Sequence, residues 1–259
     1  MDMITFFGLI VGIAGIVGGM ALEGGHVSAL MQFTAAIIVF GGTAGAVMVS
    51  TTKEDLICGL RLLKLGFGHD DTEDPRKIMA ELVEAAQVAR KDSILALEAR
   101  LARFSSPFMK TVFRYVIDGV DPHVIRDTFE SKIEIEQENL MAGAKIYTDA
   151  GGYSPTIGII GAVLGLIHVM SNLSDTSKLG AGIAVAFVAT IYGVASANLL
   201  FLPLGSKIKR KIKKRMETQH MIVEGAIGVL SGLNPFVIEE RLRSFVQDEG
   251  TSRSGSEAA

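Results

Sequence analysis

Four stretches of this 259-residue chain contain no Asp, Glu, Lys or Arg: residues 3–22, 27–52, 150–174 and 179–206. A helix rises about 1.5 Å per residue, so about 20 apolar residues cross roughly 30 Å of hydrocarbon. Each stretch reaches that length, and uncharged runs this long are hard to place outside a membrane. Overall the chain is 49% hydrophobic, near the soluble average. It is the segregation of charge that carries the signal. The expected fold is all-α and polytopic. Residues 1–52 supply transmembrane helices one and two, 53–149 a cytoplasmic helical domain, and 150–206 transmembrane helices three and four. Residues 207–247 are read as cytoplasmic C-terminal helices, and 248–259 as a disordered tail.

Basic residues orient the chain. Lys207, Lys209, Arg210, Lys211, Lys213, Lys214 and Arg215 follow the fourth stretch, which places its exit in the cytoplasm and beside anionic lipid headgroups. The links "EGGH" and "DTSK" are too short for domains and belong on the far side. Both termini and residues 53–149 are therefore expected in the cytoplasm. The first stretch follows "MD" with no basic leader and precedes no A-x-A site, so it reads as a retained span. Cys58 stands alone and reads as an inert surface or interface residue. A net charge of −3 gives no reason to expect nucleic acid as a partner.

Asp74-Pro75, Asp121-Pro122 and Asn234-Pro235 each read as an N-cap followed by the first helical residue. No phosphate loop, H-E-x-x-H, G-x-S-x-G or Cys/His cluster occurs, so the chain is not expected to be an enzyme. Within the uncharged stretches the one ionisable group of the Asp, Glu, Lys, Arg and His type is His168, read as a hydrogen-bonded interfacial residue. Ionisable groups in a bilayer mark ion pathways. If this chain conducts ions, another chain must bring the carboxylate. Gly8, Gly12, Gly15 and Gly19 form a small-residue stripe, read as close packing between the chain's own helices. Pro155, near the start of span three, and Pro203, near the end of span four, are expected at one depth. Each lacks an N–H, frees a carbonyl one turn earlier and permits a bend.

Several stretches carry a family resemblance. "ARKDSILALE" (residues 89–98), "YVIDGVDP", "SPTIGIIGAVLGLI" and "AVAFVATIYGVASANLLFLPL" resemble the motility protein A (MotA/PomA) family, over the chain to about residue 247. The family is the channel subunit of the bacterial flagellar stator, in the inner membrane. The resemblance implies a homopentamer around two copies of a single-span, peptidoglycan-binding partner, motility protein B. The partner's transmembrane aspartate would then be the missing carboxylate. It also implies inward ion flow that drives torque on the rotor protein of the C-ring, with no cofactor.

By the same resemblance, Pro155 and Pro203 match the family's coupling prolines, and Arg90, Lys91 and Glu98 its rotor contacts. Read on one helix, Lys91 and Glu98 lie seven residues apart and share a face, with Arg90 beside them. Thr190 matches an ion-path threonine whose ordinary role is a bond back to its own helix. Sodium-driven members carry a second threonine on span three, where this chain has Ala162. A methyl group offers sodium no oxygen ligand, so the expected ion is a proton. The rival is an ExbB/TolQ-type energiser, which has three spans and no N-terminal hairpin.

Overall fold

The computed structural model describes residues 3–68, 73–171 and 176–247, and among them every regular element is helical. Four helical segments are long and apolar enough to cross a membrane. Span one is α1 (Met3–Leu22). Span two joins α2 (Phe33–Ala36), a π-helical turn (Ile37–Gly41) and α3 (Gly42–Ser50). Then come α4 (Lys53–Phe67), α5 (Pro75–Lys91), a 3-10 segment (Ile94–Arg103) and α6 (Pro107–Ile117). Span three lies in α7 (Pro122–Ser171). Span four runs through α8 (Thr176–Ser196) and a π turn (Ala197–Phe201) to the start of α9 (Leu202–Leu230). The last helix is α10 (Pro235–Gln247). Part of the "DTSK" link and the tail 248–259 lie outside the described residues.

The chain divides into two compact units, residues 1–70 with 139–210 and residues 71–138 with 211–259. In the first unit spans two, three and four share a seam of small residues. Ala35 and Val39 of span two pack with Val188 and Ala189 of span four. The Tyr192 hydroxyl donates to the Leu30 carbonyl at the mouth of span two. The glycine stripe of α1 behaves otherwise than expected. Only Gly12 meets a neighbour, the Leu199 side chain, while Gly8, Gly15 and Gly19 face open space. No residue of α1 is buried. The reason is that α1 meets span four only sparsely, with Gly12 beside Leu199 and the Thr5 hydroxyl accepting from Lys207. The start of span one therefore lies level with the basic end of span four.

Helix α4 belongs to this unit too. Its Gly59 admits Ile146, and Tyr147 donates to the Gly59 carbonyl at 2.6 Å. Burial pushes the Cys58 thiol up, helped by Asp55 and opposed by Arg61. A protonated thiol is a poor nucleophile. Its Sγ donates to the Asn139 carbonyl at 3.7 Å.

The second unit is a helical cluster with its own core. The three expected caps are present: Asp74, Asp121 and Asn234 accept the N–H of Arg76, His123 and Phe236 at 3.0, 2.8 and 3.1 Å. A fourth, Ser106 before Pro107, accepts from Met109 N–H at 3.2 Å. Its Ser-Pro pair is the same kind of signal, a capping residue followed by proline, as the other three. Phe129, 1% exposed, sits edge-on to Phe108 and Tyr115, with ring centroids at 5.6 and 5.1 Å. Leu82 of α5 packs over Gly225 of α9.

Candidate functional site

The membrane seam that could form a pathway is the antiparallel contact of spans three and four. "SPTIGIIGAVLG" places Ser154, Gly158, Gly161 and Gly165 on one face of α7, at helical spacing. "GIAVAFVATIYG" does the same for Gly182, Ala186, Ala189 and Gly193 on α8. The backbones meet directly. A Cβ on Gly158 would lie 2.8 Å from the Ala189 carbonyl oxygen, and one on Gly193 2.6 Å from that of Ser154. The Ser154 and Ser196 hydroxyls, 2.7 Å apart, close one end of the seam, and Ser154 is fully buried. Sequence reading missed this serine pair, because each serine alone looks like a small packing residue.

Thr190 and Ala162 flank the seam. Gly161 lies opposite Ala189, so their chain neighbours Ala162 and Thr190 stand at nearly the same level. Both are half-buried. Thr190 donates to the Ala186 carbonyl at 3.3 Å, the bond back to its own helix. His168 is exposed at the far end, its ring against Gly182. No Asp, Glu, Lys or Arg occurs in either span at this depth.

The prolines depart from expectation. Pro155 lies inside α7, its Cα 3.2 Å from a Cβ placed on Gly193. Pro203 lies level with Gly151 instead, since a Cβ there would meet the Leu202 side chain at 2.5 Å. The two prolines thus occupy different depths, separated by at least one helical turn. Counting residues from the ends of uncharged runs could not show this, because the runs extend unequally past the helix crossing. The backbone absorbs Pro203 in a specific way. Proline offers no N–H, and the preceding turn widens, so that Leu202 N–H donates to the Ala197 carbonyl five residues back.

Arg90 and Lys91 lie exposed on one side of a corner at residues 92–93 and Glu98 on the other, not on one helix. α5 stops at Lys91, Ser93 is fully extended, and Glu98 lies in the 3-10 segment. The shared face inferred from seven-residue spacing is therefore absent. The corner is held by other residues. Leu97 is fully buried, Arg100 pairs with Glu84, and Ser105 N–H donates to Glu81 at 3.0 Å. The Arg90 stem lines a small cavity with Ile94 and Leu233. Among the described residues no side-chain hydrogen bond or ion pair engages Arg90, Lys91 or Glu98. They present unspent charge.

Residues 100–221 match the MotA/TolQ/ExbB proton channel family, and residues 6–93 match the motility protein A N-terminal family. Motility protein A of Bacillus subtilis is 33% identical over 246 residues, covering 95% of this chain and 91% of that protein. The structure of C. jejuni MotAB superposes with a TM-score of 0.90 at 31% identity, covering 95% of this chain and 96% of that one. The flagellar MotAB stator complex from Bacillus subtilis gives 0.87 at 33% identity, covering 94% and 96%. The N-terminal match spans the hairpin that separates the two candidate families, and the chain belongs to the motility protein A family.

Proposed function

We propose that this chain is the channel subunit of a flagellar stator, coupling inward ion flow to torque on the rotor. One observation carries the reading: spans three and four form a tight seam without a carboxylate, in a chain resembling MotAB over 95% of its length. A partner helix of the motility protein B kind supplies the aspartate, and five copies of this chain surround two of the partner. Both termini face the cytoplasm, with the basic run from Lys207 to Arg215 against anionic headgroups. Reconstitution of the complex in liposomes should give ion flux that a partner lacking its aspartate abolishes. Flux that survives that change would remove the reading.

The translocated ion is a proton. Ala162 contributes a methyl at the level of Thr190, and the Thr190 hydroxyl donates to its own helix. Sodium needs several oxygens to replace its hydration shell, whereas a proton needs a carboxylate and a water chain. Motility should persist in sodium-free buffer and weaken as the proton gradient collapses. Loss of swimming without sodium, restored in proportion to added sodium, would contradict this.

Arg90, Lys91 and Glu98 form the rotor-contact surface, supported by their exposure and unengaged charge. Exposed charges contribute about 0–1 kcal/mol to folding. The double reversal Arg90→Glu, Glu98→Lys should therefore assemble normally and reduce swimming to that of a strain without stators. Normal spreading in soft agar would show a merely solvated surface.

Pro155 and Pro203 act as couplers at two successive depths. Pro203→Ala restores an N–H and should return the widened turn at Ala197–Phe201 to α-helix. Torque measured on tethered cells should fall while membrane insertion is retained. Unchanged torque in both Pro155→Ala and Pro203→Ala would remove the role.

A further inference from the structure

Thr43 of span two is 2% exposed, and among the described residues its hydroxyl has no hydrogen-bond partner. Leaving a buried hydroxyl unpaired is unfavourable, and a methyl in its place would carry no such penalty. Thr190 of span four avoids it by bonding back to its own helix. Contacts with two neighbouring spans fix the level of Thr43. A Cβ on Gly161 of α7 would meet Ile38, and one on Gly42 would meet Ile157, so spans two and three run antiparallel in step. Further along, Val47 packs with Ile146 and Ala150. Thr43 shares the Val47 face, one turn earlier, and so lies beside α7 between Ala150 and Ile157, at Ser154 and Pro155. On the other side Ala35 and Val39 pack with Val188 and Ala189, and Phe40 stacks on Tyr192 at 6.1 Å. The next turn sets Thr43 near Gly193, where a Cβ would lie 3.2 Å from Pro155 Cα. Both neighbours bring the unpaired hydroxyl to the level of Pro155.

We propose that Thr43 is a positioning residue for coupling: when α7 bends at Pro155, the Thr43 hydroxyl donates to the Gly151 carbonyl. The proposal rests on the stator reading above. Pro155 has no N–H, so the Gly151 carbonyl, one turn earlier, lacks the amide that serves such a group in an unbroken helix. Helical carbonyls point toward the C-terminus, which brings this one up toward Pro155. Gly151 is buried, so bulk water is no substitute partner. One buried donor and one buried acceptor, each short of its usual partner, thus stand close to one level of the seam. A bend at a proline tilts the freed carbonyl out of its helix, toward a donor beside it. Span two carries the hydroxyl just past its π turn, Ile37–Gly41, a form that recurs at functional sites. In this structure the hydroxyl is unpaired. In the bent form it is paired, which shifts the balance toward bending.

The test uses the full-length chain produced with its partner protein. Thr43→Val keeps the shape and removes the hydroxyl, whereas Thr43→Ser keeps the hydroxyl. Because the hydroxyl is unpaired in this structure, Thr43→Val should reach the membrane in normal or greater amount. Its rotation rate at low load should nonetheless fall about fivefold, the effect of one net hydrogen bond on a two-state balance. Thr43→Ser should rotate at the unaltered rate. Pro155→Ala gives the Gly151 carbonyl its amide back, so adding Thr43→Val to that variant should slow it no further. Ion influx into liposomes supplies the same ratio where rotation is too slow to measure. An unaltered rate in Thr43→Val would overturn the proposal, as would a full fivefold fall in the Pro155→Ala background. Cancellation by Ser154→Ala instead of Pro155→Ala would also overturn it, by making the Ser154 hydroxyl the acceptor. Failure of the unaltered chain and partner to support rotation or influx would count against the stator reading, a separate result.

Discussion

Gly193→Leu is expected to abolish motility while leaving the chain synthesised. A Cβ on Gly193 meets backbone on three sides: the Ser154 carbonyl oxygen at 2.6 Å, Gly158 Cα at 3.1 Å and Pro155 Cα at 3.2 Å. None of these is a flexible side chain that can swing aside. Overpacking a well-filled site typically costs about 1–3 kcal/mol, through displaced side chains and backbone. Here relief requires spans three and four to part at the level of Pro155, next to Thr190. Swimming in soft agar and the amount of chain in the membrane fraction are the measurements. Normal swimming at normal abundance would show that close approach of these spans is dispensable.

Phe129→Ala should destabilise the second unit by about 3–5 kcal/mol, the range for removing a buried aromatic ring. Phe129 is 1% exposed and makes edge contacts with Phe108 on α6 and Tyr115 near its end. Such ring pairs contribute about 0.5–1.5 kcal/mol beyond area burial. A domain is stable by only about 5–15 kcal/mol, so the loss is a large share. Limited proteolysis of the full chain in membranes should cleave residues 75–138 far faster in Phe129→Ala, with Phe129→Leu intermediate. Equal resistance of all three would place this ring outside the stabilising core.

Local signals in the sequence determined the four spans and three of the helix starts outside them. An uncharged run of sufficient length must satisfy its backbone internally within lipid, which leaves a helix as its form. Asp74-Pro75, Asp121-Pro122 and Asn234-Pro235 act over two residues and need nothing distant to cap a helix. The missing carboxylate was equally legible, since absence of charge is a property of composition. Thr190's bond to Ala186 is likewise local.

Contacts between helices decided the rest. The depth of Pro203 relative to Pro155 depends on which residues of α7 and α9 lie side by side, and Gly151 opposite Leu202 sets it. The glycine stripe of α1 promised close packing, yet one glycine in that stripe received a neighbour, because sequence spacing specifies a face and not what covers it. At the rotor corner the sequence supplied Arg90, Lys91 and Glu98 but not their arrangement. A ten-residue 3-10 segment has poorer hydrogen-bond geometry than an α-helix, and runs of that length are uncommon. Here it coincides with contacts made at a distance, Leu97 in the core, Arg100 on Glu84 and Ser105 on Glu81. Those partners lie 16 and 24 residues away along the chain. Helical periodicity, which reaches a turn or two, could not report a break that only such contacts stabilise.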